Sequence, residues 1–233
     1  MEPIRLSALA ADVAANGFAR LAFLDAATCR ELAALYDQPT GFRSRVVMQR
    51  HGYGSGEYKY LSYPLPDTVG RLRVLLYPPL AAIANEWAER LGETRRFPDE
   101  LQDYLRQCHE AGQTRPTPLL LRYGNGDYNC LHQDLYGEFV FPLQLTILLS
   151  EPGTDFTGGE FLLVEQRPRR QSRGEAIALA QGEAVIFPVR HRPVQGARGA
   201  YRATMRHGVS TVRPGTRQAC IRQTLGIIFH DAA

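Results

Sequence analysis

Cysteine is scarce in this chain: 233 residues hold four, Cys29, Cys108, Cys130 and Cys220, widely scattered and without a CxxC pair. That argues against a disulfide scaffold and a structural zinc knuckle, and leaves the four to be read as small buried hydrophobes. Long apolar runs are missing too. Leu143–Leu149 and Ile177–Ala180 fall far short of the ~20 residues that a membrane-spanning helix needs. The opening MEPIRLSALAAD is acidic where a signal peptide is basic and then apolar, so a cytoplasmic location with no membrane partner is expected. Charge of one sign is not in excess: 27 Lys+Arg against 24 Asp+Glu leave a formal +3, so only the placing of the arginines can speak of nucleic acid. Repeats and low-complexity segments are absent, apart from the arginine-rich Arg167–Arg173. What is present is an ordinary globular composition, 44% hydrophobic, which excludes a disordered tail. The length suits a single domain over 1–233.

The pattern changes near Pro116–Pro118. Before it, helices dominate: Ser7 is placed to cap a first one ended by Gly17, and Asp25 a second running to about Asp37. Residues 17–24 read as a short strand between them. A third helix is expected from Asp67 to Gly92, kinked or split by Pro78-Pro79. A fourth covers about 99–111, with Leu101, Tyr104, Leu105 and Cys108 on one face and Gly112 at its end. The stretch Gly41–Pro66 has no helical period and mixes Arg43, Arg45, Arg50 and His51 with Tyr53, Tyr58, Tyr60 and Tyr63. After Thr117 come short apolar runs split by Gly158-Gly159, Gly182 and Pro214-Gly215, the signature of a β-sandwich or barrel.

Six histidines can be weighed one by one. In an extended strand residues i and i+2 share a face, so His132 and Asp134 of His132-Gln133-Asp134 can share one metal ion. His207, in HGVSTV, is placed to supply a second histidine. Two histidines and one carboxylate leave coordination positions open, the arrangement of non-heme Fe(II) oxygenases. His191, in an Arg-Pro setting expected to be a loop, is an alternative distal ligand. His230 is expected at the surface or in packing, His109 in solvent on a helix, and His51 among the arginines and tyrosines of a substrate side.

From Leu121 to His230 the chain resembles the 2-oxoglutarate and Fe(II)-dependent dioxygenases. The shared features are a Tyr-Gly segment, HxD, Gly158-Gly159-Glu160, Gly182-Glu-Ala-Val-Ile-Phe-Pro188 and a distal HxVxxV. More closely, RHGYGSGEYKYLSYPLP, LHQDLYGEFVFPLQ, FPVRHRPVQGARGAYRATMRHGVS and TLGIIFHDA resemble a bacterial family of such oxygenases described as acting oxidatively on damaged, alkylated DNA. The resemblance implies an α+β fold: a double-stranded β-helix, or jelly roll, over 117–230, supported by helices and a substrate-side loop in 1–116. It implies Fe(II) held by His132, Asp134 and His207, the catalytic metal residues. It also implies 2-oxoglutarate as small-molecule cosubstrate, consumption of O2, and hydroxylation of a C–H bond with release of succinate and CO2; on an N-methyl group this amounts to oxidative demethylation.

A cationic residue on the last core strand should pair with the far carboxylate of 2-oxoglutarate, a task that suits the planar fork of arginine. Arg217 has the usual spacing after His207, whereas Arg222 keeps the family's spacing before TLGIIFH. A turn centred on Pro214-Gly215 would set Arg222 opposite His207, and Arg222 is favoured because the strand TLGIIFH is fixed by sheet packing while an insertion is more easily absorbed in a turn. Tyr123 and Tyr128 precede the metal motif, where a phenol can reach the cosubstrate; Asn129, Gln144 and Thr146 are further lining candidates. Arg50, His51, Tyr58 and Tyr60 are the expected substrate side, with Arg167–Arg173, Arg198, Tyr201, Arg202 and Arg206 extending a nucleic-acid surface. Two other readings compete: a protein or small-molecule hydroxylase on the same core, and a non-enzymatic jelly-roll binding module with a vestigial HxD.

Overall fold

The computed structural model describes residues 6–233. Helix α1 (Leu6–Asn16) already includes Ser7, so that residue lies within the first turn instead of capping it. The chain leaves α1 at Gly17, whose amide bonds the Val13 carbonyl, and forms β1 (Ala19–Ala22). Asp25 caps α2 (Ala26–Ala34), its carboxylate accepting from the Thr28 amide at 2.8 Å. Residues 41–66, expected as a loop, instead build β2 (Phe42–Val47), a 3-10 turn over Met48–His51, β3 (Gly54–Ser55) and β4 (Glu57–Leu61).

Helix α3 (Asp67–Arg90) runs through Pro78 and Pro79 without a break. The two prolines deprive the Val74 and Leu75 carbonyls of their helical donors. Those residues are 47% and 44% exposed, so water can satisfy them. Helix α4 (Leu101–Glu110) buries Leu101, Tyr104, Leu105 and Cys108, the face expected from their spacing.

The remaining strands are β5 (Leu119–Tyr123), β6 (Tyr128–His132), β7 (Leu143–Leu148), β8 (Phe156–Gly158), β9 (Phe161–Gln166), β10 (Arg173–Ile177), β11 (Glu183–Pro188), β12 (His191–Gly196), β13 (Gly199–Val209), β14 (Val212–Pro214) and β15 (Arg222–Ile227). They form two main sheets, one ordered β1-β11-β7-β15-β5-β4-β2 and the other β10-β9-β13-β6-β3. The architecture is the expected α+β jelly roll backed by helices. His191 is not in a loop: it opens β12, whose only strand partner among the described residues is β13, and such an edge tolerates Pro193.

Strand alternation sorts the side chains. On β7 and β15, Leu143, Leu145, Ile147, Leu225 and Ile227 point to the helices, packing with Leu76, Tyr77, Leu80 and Phe141. The opposite faces of the same strands look between the sheets, so both faces are covered and the runs read as nearly continuously apolar. Registers Arg222↔Tyr123, Thr224↔Leu121 and Gly226↔Leu119 continue to Tyr58↔Leu121 and Tyr60↔Leu119. The sheet thus presents layered rows of side chains to the interior.

The expected hairpin about Pro214-Gly215 does not form. Strand β14 pairs with β8, while β15 crosses into the other sheet between β5 and β7. Arg222 therefore lies opposite Tyr123, not His207. The intervening residues are absorbed against the 151–155 turn, where the Thr216 and Arg217 amides bond the Gly153 and Thr154 carbonyls.

Two of the four cysteines, Cys29 and Cys108, are buried; Cys130, on β6 at the cavity, is exposed, and Cys220, in the segment before β15, is partly so. No helix among the described residues is long and apolar enough to cross a membrane.

Candidate metal and cosubstrate site

His132 ends β6 and pairs in register with His207 of β13, and their rings lie 4.2 Å apart. Asp134 follows just past the strand. Its Oδ1 is 3.6 Å from His132 Nε2 and its Oδ2 is 3.3 Å from His207 Nε2. Ligand atoms of the three lie within 4.8 Å of one another, the only such metal-capable group among the described residues. His191, the alternative, is outside it.

Each of the three side chains is held. His132 Nδ1 lies 2.8 Å from the Cys130 carbonyl; donation there leaves Nε2 free for a metal. Phe161 stacks on His207 at 5.8 Å and Phe187 packs on it at 4.6 Å. Gln144 Nε2 donates to Asp134 Oδ2 at 2.7 Å and Tyr136 Oη to Oδ1 at 2.8 Å. Burial pushes the Asp134 carboxyl up, but the His207 hydrogen bond and charge, His132 and Gln144 outweigh it and hold it well below the usual carboxylate range. Burial and the neighbouring His132 push the His207 imidazole down. An anion between two imidazoles, in a buried pocket, suits a divalent first-row metal.

These residues open on a cavity of about 370 Å³. Arg222 also lines it, 2% exposed. Its guanidinium sits 5.5 Å from the Tyr123 ring and 5.8 Å from Phe156, and its Nε and Nη1 are buried with no hydrogen-bond partner. Burial pushes this arginine down to about 10. Glu160 acts on it by charge but bonds Ser210. Gly159, at φ +62°, makes room for the side chain: a Cβ there would lie 2.7 Å from Arg222 Cδ. A buried cation without a partner is costly, so a dicarboxylate with one end on this fork and the other on a metal at the His-Asp-His group fits the residues present.

The other expected site residues divide. Tyr58, Tyr60, Tyr123, Asn129, Gln144 and Thr146 all line the cavity, with Asn129 Nδ2 3.3 Å from the Tyr123 hydroxyl. Burial pushes the Tyr123 phenol up to about 12. Tyr128 is 44% exposed and does not line the cavity. Arg217 lies at the surface on Asp155, 2.5 Å away, and is not brought to the cavity. Arg50 and His51 are exposed and do not line the cavity; His51 stacks at 5.3 Å on Tyr53, which does. His109 is not merely solvated, since its Nε2 lies 2.8 Å from Asp231. His230 is fully buried and accepts from the Phe141 amide.

Tyr53, one of the aromatics of the Gly41–Pro66 stretch, is in the cavity wall; sequence reasoning passed over Leu119, Phe161, Phe187 and Tyr136, which are there too. Tyr136 carried a signal, standing two residues beyond Asp134. Leu119 carried none, because a run of three leucines hides which face each takes.

Residues 56–232 match the model of a family described as "Oxygenase, catalysing oxidative methylation of damaged DNA". An uncharacterised protein of Mycobacterium tuberculosis is 56% identical over 170 residues, 73% of this chain and 71% of the relative. Among solved structures, a 2OG-Fe(II) oxygenase family oxidoreductase from Burkholderia pseudomallei superposes with a TM-score of 0.55 at 18% identity, covering 98% of this chain and 93% of that one. A Pseudomonas putida prolyl-4-hydroxylase does so at 0.51 and 17% identity, over 98% and 100% of the two chains. At such identities the likeness is one of fold.

Proposed function

The chain belongs to this oxygenase family, and from that premise we propose that it is an Fe(II)- and 2-oxoglutarate-dependent dioxygenase that hydroxylates a C–H bond, releasing succinate and CO2. One observation carries the reading: the unpartnered, buried guanidinium of Arg222 opens on the same cavity as the His-Asp-His group. His132, Asp134 and His207 would hold the iron, and Arg222, beside Tyr123, the far carboxylate of the cosubstrate. When bound, iron and 2-oxoglutarate supply the oxidising chemistry with O2. The chain's own residues orient and enclose it. Gln144 and Tyr136 fix the Asp134 carboxylate, Phe161 and Phe187 shield His207, and Leu119, Leu121 and Ile228 form an apolar wall that limits water near the reacting carbon.

For the substrate we infer an alkylated nucleobase, whose hydroxylated N-methyl group leaves as formaldehyde. Tyr58 and Tyr60 in the wall and Tyr53 at the mouth offer aromatic faces for a base taken out of its stack. Arg50, exposed two residues before the cavity-lining Gly52, is available to a phosphate. One observation favours a second reading, a protein or small-molecule substrate. Arg222 apart, no lysine or arginine lines the cavity, and Arg167, Arg173 and Arg202 of the expected basic surface are paired with Glu165, Glu175 and Glu93.

The test is succinate formation from 2-oxoglutarate with Fe(II), together with formaldehyde release from an N-methylated single-stranded oligonucleotide. Both are expected in the wild type and neither in Asp134→Ala. Absence of Fe(II) binding and of succinate with every candidate substrate would leave only the non-enzymatic binding module. Succinate without formaldehyde, with oligonucleotide affinity indifferent to salt, would move the substrate to the second reading.

A further inference from the structure

Of the three metal-site residues, two sit on strands and one does not. His132 and His207 are fixed by the β6–β13 ladder, but β6 stops at His132, and Asp134 lies in an irregular segment that runs to the start of β7. Nothing in the backbone ladder sets its carboxylate, whose terminal torsion is intrinsically broad and two-fold. Its orientation therefore depends on side-chain donors, one for each oxygen: Gln144 on Oδ2 and Tyr136 on Oδ1.

Tyr136 is itself in that irregular segment, yet it is tied down from three sides. Its ring meets Tyr60 edge-on at 6.4 Å and His230 at 6.2 Å, and Tyr60 is in turn covered by Arg43, 4.2 Å from its ring centre. Its carbonyl is 3.1 Å from the Gln113 side-chain amide. Gln113, 1% exposed, is a clamp on the whole segment: the same nitrogen lies 3.0 Å from the Phe139 carbonyl and 2.6 Å from that of Asp231, while Oε1 accepts from the Phe139 amide at 2.8 Å. Gly137, at φ +91°, lies against it, and a Cβ there would come 2.4 Å from Gln113 Cδ. The segment cannot shift past the clamp without breaking these bonds.

We propose that Tyr136 is the positioning residue of the metal carboxylate, its hydroxyl holding Asp134 ready for the ion, and that Gln113 sets Tyr136. The proposal rests on the reading of His132, Asp134 and His207 as a metal site, and its test separates the two. Co(II) is titrated into metal-free protein and its visible absorption recorded. Wild type binds. Tyr136→Phe keeps the ring and its packing but binds Co(II) about tenfold or more weakly, the size of effect seen when a partner of a metal ligand is removed, with a changed absorption band. Gln113→Ala, which touches no ligand, weakens binding in the same direction but less. Wild-type affinity and spectrum in Tyr136→Phe would overturn the proposal, as would a lowered melting temperature with metal binding untouched. Failure of the wild type to bind Co(II) would overturn the metal site itself.

Discussion

Of the three buried arginines among the described residues, two, Arg73 at 1% exposure and Arg222 at 2%, have opposite surroundings. Arg73, on α3, has every branch engaged. Its Nε donates to the Ile228 carbonyl, Nη1 to the Tyr63 hydroxyl, and Nη2 to the Phe229 carbonyl and to Asp231 at 2.8 Å. Arg222, on β15, has no hydrogen bond to Nε or Nη1. The first is a structural cation whose partners are all in the chain. The second has space in front of it, which is the condition for binding something from outside. Burial alone does not distinguish these two arginines; the partners of their donors, together with the cavity before Arg222, do.

The comparison is broken most severely at Asp231. It is fully buried between Arg73, His109 and Tyr63. Asp231→Ala would leave the Arg73 charge in the core without its counter-ion, and removing one member of a buried pair costs about 3–5 kcal/mol. Urea unfolding of the metal-free protein should register that loss in full; a loss under about 1 kcal/mol, the level of an exposed pair, would show that water reaches Arg73.

At Arg222 the sign reverses. Arg222→Met keeps the stem that passes Gly159 and removes a charge with no partner, so the metal-free protein should be no less stable than the wild type. Binding of 2-oxoglutarate should suffer instead, by about 2–5 kcal/mol, or roughly 30-fold to several thousand-fold in dissociation constant, as when a buried charge pair loses one side. Calorimetric titration in the presence of Mn(II) measures the second effect and thermal melting the first. Lost stability with unaltered cosubstrate affinity would make Arg222 another Arg73.

The same contrast marks how far the sequence could be read. The HxD spacing, the Asp25 cap and the apolar face of α4 are local, and each depends on residues at most a few positions apart. The fixed position of TLGIIFH points to Arg222, but the hairpin that would set it opposite His207 does not exist; Arg222 reaches the cavity because β15 leaves for the other sheet, between β5 and β7. Residues 41–66 concealed their strands because a 3-10 turn and a bulge at Phe42/Ser44 interrupt the alternation. Arg73 and Gln113 gave no signal at all. Tyr63 apart, the partners of Arg73 are 155–158 residues away and those of Gln113 up to 118, and no periodicity reports a polar side chain whose purpose is to bond distant carbonyls.

The smallest effect belongs to a third arginine, Arg217. Its spacing from His207 suits a cosubstrate partner, but its side chain is 62% exposed and its ion pair with Asp155 faces solvent. Exposed pairs contribute about 0–1 kcal/mol, and salt weakens them further. Its backbone amide, bonded to the Thr154 carbonyl, survives any substitution except proline. Arg217→Ala should therefore change stability by less than about 1 kcal/mol and leave the 2-oxoglutarate dissociation constant and the succinate yield as they are. A large rise in that constant would mean that the 215–221 segment folds over the cavity when cosubstrate binds, and that Arg222 does not hold the far carboxylate alone.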